Sequence, residues 1–245
     1  MIRWDKLLAT MIAGFASGLG ALPLLFVSQV SAWLQGVLLG FAGGMMTAAA
    51  LLSLIPTALN KESLWQVLLG LIAGAGSLVI LDLLLPHHHA RTGKPRASGW
   101  KTSLMILAAI VLHNLPEGLS MGIGYASQED QIGLILTVAI GVQNIPEGLL
   151  AAVSLRDHGI SGLQAVGLAL LTGLTEPLAA LVGMVLVDWL QDILGFALGF
   201  AAGAMLYAVS DTLIPDSHEH GFERLGTFGF LGGVMVLILI QQLMR

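Results

Sequence analysis

Two six-residue stretches, His113-Asn114-Leu115-Pro116-Glu117-Gly118 and Gln143-Asn144-Ile145-Pro146-Glu147-Gly148, decide how this chain is read. The second follows the first by 30 positions and differs from it only at His/Gln and Leu/Ile. Each lies near the middle of a long apolar run, where an ionisable side chain costs about 2.5–3.5 kcal/mol or more to place. In a helix, positions i and i+4 share a face, so His113 stacks over Glu117 and Gln143 over Glu147. The intervening proline removes one backbone hydrogen bond and displaces the carbonyl four residues back. That leaves the Leu112 and Val142 oxygens as spare acceptors. Gly118 and Gly148 let neighbouring backbones approach closely. A lone membrane Glu or His is as readily a satisfied hydrogen bond between helices, and Pro-Gly pairs are more often kinks than sites. A kink, however, does not need a glutamate directly after its proline twice, so the duplicated hexad reads as a metal site.

The surroundings set the class. Of 245 residues, 56% are hydrophobic and only 10% are charged, against roughly 25% charged in a soluble domain. The mean hydropathy is +0.87. Glycine, at 31 residues, is about twice its usual ~7% share, as expected where helices pack closely in lipid. Apolar stretches with short polar breaks predict eight spans, at about 6–28, 33–58, 64–85, 102–125, 131–154, 162–187, 192–213 and 225–243. Each is long enough for a spanning helix of ~20 residues, and none alternates in polarity as a barrel strand would. The expected fold is therefore an all-α integral membrane protein, with residues 1–245 forming one transmembrane domain and a loop at about 86–101. Arg3 and Lys6 precede the first span in the manner of a signal peptide. The apolar run passes twenty residues without a clear small-x-small cleavage site, so it reads as a retained span.

With eight spans, both termini share a face. That face holds Arg3, Lys6, Lys61 and Arg245, while the other holds Arg91, Lys94, Arg96, Lys101, Arg156 and Arg224. Positive residues favour the cytoplasm, so six against four places the termini outside and the 86–101 loop inside. Arg3 and Lys6 alone would favour the opposite. The chain has no cysteine, which excludes disulfides, thiolate metal sites and thiol redox switching. A net charge of −5 argues against a nucleic-acid partner.

Spans four and five run antiparallel, so the two hexads meet as an inverted pair, as in transporters that build a midplane site from broken helices. Glu176, in Thr172-Gly-Leu-Thr-Glu-Pro177, adds a third buried carboxylate. Imidazole nitrogen with carboxylate and amide oxygens suits Zn²⁺, Fe²⁺, Mn²⁺, Co²⁺ or Ni²⁺. Carboxylates bind metal deprotonated, so metal entry is expected to release protons. The metal would be cargo, with no resident cofactor.

With these residues in view, the chain resembles the ZIP (Zrt/Irt-like) family of divalent metal transporters, over essentially its whole length. Gln143 in place of His resembles the GufA-type bacterial branch. The resemblance implies two three-helix bundles flanking helices four and five (3+2+3), a two-metal centre between helices four, five and six, and uptake toward the cytoplasm by an elevator-like movement. One metal would be held by His113, Glu117, Gln143 and Glu147. The second would take Asn114, Glu117, Asn144, Glu147 and Glu176, with Glu117 and Glu147 bridging. Met46 matches a position that can offer a thioether to the first metal, and an ordinary core Met is the equal alternative. Ser53, seven residues on, falls on the path. An exit station is implied at Asp82, His87, His89 and Asp211, where Asp211-Thr-Leu-Ile-Pro215 has Thr212 in place of the Glu of many relatives. A solvated polar loop is the competing reading there, and for His218-Glu219-His220. Losing the second imidazole should make the first site less zinc-selective, so Cd²⁺ and Cu²⁺ join the candidate cargoes behind Zn²⁺. The implied setting is a bacterial inner membrane, with the lipid bilayer as partner and a homodimer allowed by the Gly-rich faces.

Two rival readings compete with this one. A membrane-embedded metalloenzyme could use His and Glu at i, i+4 to hold an activated water, but neither HExxH nor GxSxG is present. An exporter or metal-gated channel is the second rival: known exporter families would be expected to show different span counts and Asp/His pairs, and a carrier's flux should saturate far below channel rates.

Overall fold

The computed structural model describes residues 3–27, 29–84, 100–127, 130–189 and 191–244. Among the described residues there is no strand, and eight helical spans are long and apolar enough to cross a membrane. They are Trp4–Leu25, Ala32–Lys61, Leu64–Leu81, Ser103–Ala126, Gln131–Asp157, Gly162–Val187, Leu194–Ser217 and Glu223–Leu243. The expected all-α, eight-span membrane fold is therefore observed, with span ends shifted by a few residues. Lipid explains why these segments are helical. No water is present to satisfy backbone N–H and C=O groups, so each span must bond its own.

Prolines act differently from span to span. Spans four and five run as continuous helices, Trp100–Ala126 and Asp130–Asp157, with Pro116 and Pro146 inside them. Span six is interrupted instead. A helix Gly162–Gly173, opened by a Ser161/Gln164 capping box, gives way at Leu174 to a second helix, Thr175–Trp189. Pro177 cannot donate to the Gly173 carbonyl four residues back, and the helix parts there. Spans two and seven each contain a widened π turn, Ala50–Leu54 and Val209–Leu213, ending two residues before Pro56 and Pro215. Such turns absorb an extra residue per turn and are common at functional sites.

Many large apolar side chains face outward. Leu8, Ile12, Leu69, Ile72, Phe228 and Met235 are exposed, while the interior is rich in Ala and Gly, with Leu filling between them. This is the pattern of helices packed by small residues in a lipid solvent. Span one lies along span five and span four along span six, while span two lies along span eight and span three along span seven. Spans two and seven then touch spans five and four, joining the two sets.

The close contacts come in matched pairs. A Cβ on Gly44 would strike the Phe230 backbone, and one on Gly203 would strike that of Leu71. Likewise Gly70 abuts Phe196 and Gly229 abuts Val37, while Gly74 abuts Phe200 and Gly233 abuts Phe41. Within each couple, every residue of one contact lies 159 positions from its counterpart in the other. Gly14 and Gly173, themselves 159 apart, press on each other's carbonyl. The letters follow the same offset, with Leu39-Gly-Phe-Ala42 matched by Leu198-Gly-Phe-Ala201 and Pro56 by Pro215.

Candidate metal centre

The centre lies where spans one, four, five and six meet. Gly118 sits on the Glu176 backbone and Gly148 on the Ser17 backbone. Both hexad glycines thus do what their sequence suggested, bringing span six against span four and span one against span five. Glu117 and Glu176 are fully buried, and Asn114, Gln143 and Asn144 nearly so. His113 and Glu147 are half-buried.

Amides and carboxylates are knitted together. The Gln143 side-chain nitrogen donates to Glu117 Oε1 and, at 3.1 Å, to Glu147 Oε1. One amide thus bridges the two hexad glutamates. Asn144 Nδ2 donates to both oxygens of Glu176, each at 2.9 Å, and to the Ala13 carbonyl at 2.9 Å. Asn114 Nδ2 donates to the Thr172 carbonyl at 3.0 Å, an oxygen that also accepts from Thr175 Oγ1 at 2.7 Å. It sits at the break in span six. Glu117 Oε2 and Asn144 Oδ1 are buried acceptors without a hydrogen-bond partner. Buried orphan acceptors are costly and rare, and two of them within a group of carboxylates suit a cation.

Among the described residues, no three His, Asp or Glu side chains stand close enough together to grip a metal ion as they are. Each of the three carboxylates takes an amide N–H₂ as its neighbour. The structure brings Glu117, Gln143 and Glu147 into one group and joins Asn144 to Glu176. It sets Asn114 against span six rather than against a carboxylate.

The outlying expectations fare variously. Met46 is buried in the large apolar core. Ser53 is buried in the π turn of span two and accepts from Gln241 Nε2 of span eight at 2.8 Å. Asp211 occupies the π turn of span seven and is half-buried. Asp82 lies on the helix of span three, but its side chain, together with His87 and His89, lies outside the described residues. On the same face, His158 is buried against the Ser154 carbonyl at 2.7 Å and His218 meets Thr227 at 3.3 Å. Sequence reasoning missed span one, whose Ala13 carbonyl accepts from Asn144 and whose Ser17 backbone packs against Gly148. The signal was available in the offset of 159, which relates Ala13 to Thr172 and Ser17 to Glu176.

The chain is thus a multi-pass helical membrane protein with carboxylates and amides buried together among its spans. Comparison with known proteins narrows this. A family model described as ZIP zinc transporter matches residues 84–241. The zinc transporter GufA of Myxococcus xanthus is 39% identical over 247 positions, covering 96% of this chain and 97% of the relative. The zinc transporter ZIPB of Bordetella bronchiseptica is 39% identical across 94% of this chain and 78% of its own. The zinc transporter ZupT of Streptococcus mutans is 30% identical across 93% of both. The chain belongs to the ZIP zinc transporter family. Its members are transporters, and the metalloenzyme reading falls.

Proposed function

We propose that this protein carries divalent transition metal, with Zn²⁺ foremost, across a bacterial plasma membrane into the cytoplasm, with both termini outside. The observation that carries the reading is the Gln143 amide bridging Glu117 and Glu147, with Glu117 Oε2 left as a buried orphan beside it. A cation entering there exchanges N–H donors for its own charge. Gln143 turns its oxygen inward, and His113, Glu117, Gln143 and Glu147 hold the first ion. Asn114, Glu117, Asn144, Glu147 and Glu176 hold a second, with the two glutamates shared. The contacts matched at an offset of 159 support a 3+2+3 inverted repeat, since spans two and seven run in opposite directions. They also support an elevator-like movement, in which the set of spans one, four, five and six shifts past the set of spans two, three, seven and eight.

Flux into proteoliposomes loaded with a metal-sensitive dye tests this, with Zn²⁺, Cd²⁺, Mn²⁺, Fe²⁺ and Cu²⁺ each offered. Saturable entry that Glu117→Ala and Glu147→Ala both abolish is the expected result. Flux that survives both substitutions would leave the hexads as structural kinks.

A further inference from the structure

Residues related by the 159-position offset occupy equivalent places around the centre. Gly148 rests on the Ser17 backbone as Gly118 rests on the Glu176 backbone. Asn144 Nδ2 binds the Ala13 carbonyl and Asn114 Nδ2 the Thr172 carbonyl, and Ala13 and Thr172 are also counterparts. The two hexads supply matched groups, His113 with Gln143, Asn114 with Asn144 and Glu117 with Glu147. The Gly14–Gly173 contact joins counterpart to counterpart. Every ligand candidate thus has a mate across one pseudo-two-fold axis. The mate of Glu176 is Ser17, which is 6% exposed, and a Cβ on Gly173 would lie 3.1 Å from its hydroxyl.

We propose that Ser17 is a further residue of the metal centre, facing the second ion from span one, opposite Glu176. The proposal rests on the metal-centre reading given above. Two features support it. Ser77, Ser120, Ser127 and Ser217 each donate to the carbonyl three residues back, which for Ser17 is that of Gly14, an oxygen already packed against Gly173. The residue is also buried, and its hydroxyl lies toward Gly173 of span six, three positions before Glu176. A serine hydroxyl is two bonds shorter than a glutamate carboxylate, so Ser17 reaches the ion through one bound water. The outcome is an asymmetric shell, with a direct carboxylate on the span-six side and a water held by a hydroxyl on the span-one side. A cation bound this way keeps one exchangeable ligand, as release during transport requires.

The test uses the full chain in detergent or nanodiscs and counts Cd²⁺ bound at equilibrium, alongside proteoliposome flux. Glu176→Ser should weaken binding at the second ion by about tenfold or more, the order seen when groups ordering a metal shell are lost. Ser17→Glu combined with Glu176→Ser should restore most of that binding, because the carboxylate is returned from the opposite side of the axis. Restoration supports the proposal, and a double variant that is folded by circular dichroism yet binds no better than Glu176→Ser overturns it. Should the double variant not fold, Ser17→Ala decides: second-site affinity reduced by about tenfold supports a water-holding hydroxyl, and wild-type affinity overturns it. If Glu117→Ala and Glu147→Ala leave Cd²⁺ binding intact, the metal-centre reading itself fails.

Discussion

Asn144 has two amide hydrogens for three acceptors, the Ala13 carbonyl and both oxygens of Glu176. It therefore ties span one, span five and span six into one group while its own Oδ1 stays unpartnered. Asn144→Leu removes the donor and keeps the bulk, stranding a carbonyl and a carboxylate that are both buried. Each such orphan costs about 1–3 kcal/mol, so the metal-free protein should melt several degrees lower. Asn144→Asp has a different signature. It sets a second carboxylate beside Glu176, and like charges at that distance repel without a counter-ion. With a divalent cation between them, the same pair becomes a stronger ligand set. The metal-free melting temperature should fall, and the rise on adding Cd²⁺ should exceed that of the wild type. Thermal unfolding in detergent with and without Cd²⁺ measures both. An Asn144→Asp protein whose rise merely equals the wild-type rise would mean that Asn144 serves packing alone.

At the scale of helices, glycine contacts set the spacing. Gly148 lies on the Ser17 backbone and Gly44 on that of Phe230, whereas Gly76 has nothing within 4 Å of where a Cβ would sit. Gly148→Ala and Gly44→Ala must push two helices apart, at a cost of about 1–3 kcal/mol or more. Gly76→Ala meets open space and gains the helix preference of alanine, roughly 0.5–1 kcal/mol. Melting temperatures should fall for the first two and hold or rise for the third, and equal shifts for all three would refute the close-contact account. The same contrast explains what was legible in the letters. Span positions could be read because lipid demands about twenty apolar residues in succession, and the hexads because carboxylates there are out of place. Which glycine meets which backbone could not be read from one helix, since that depends on the partner. The π turns before Pro56 and Pro215 were hidden likewise, because proline alone does not say whether a helix bends, widens or parts. Pro116 leaves a continuous helix and Pro177 follows a break. Comparison of the chain with itself would have exposed the pairing, since Leu39-Gly-Phe-Ala42 and Leu198-Gly-Phe-Ala201 lie in plain view.

For the whole molecule, polar ties cross between the two helix sets on the face that carries the termini. Lys61 Nζ at the end of span two donates to the Ser127 carbonyl beyond span four at 2.7 Å. Gln131 Nε2 at the start of span five donates to the Met244 carbonyl after span eight. If one set slides past the other, both bonds must break as that face opens. The Lys61 bond is the stronger, because an ammonium on a carbonyl at a helix C-terminus also meets the negative end of the helix dipole. A hydrogen bond to a charged group contributes about 1.5–3 kcal/mol, so its loss should raise the population open on that face by on the order of tenfold. The absence of native cysteine makes this measurable. A single cysteine at Ser53, buried in span two toward the Lys61 end, serves as the reporter. Modification by a membrane-impermeant thiol reagent supplied to the outside of intact cells should be about tenfold faster with Lys61→Met than with Lys61 present. Equal rates in the two backgrounds would show that the tie does not hold that face shut, and reaction only from the cytoplasmic side would reverse the orientation inferred from six positive residues against four.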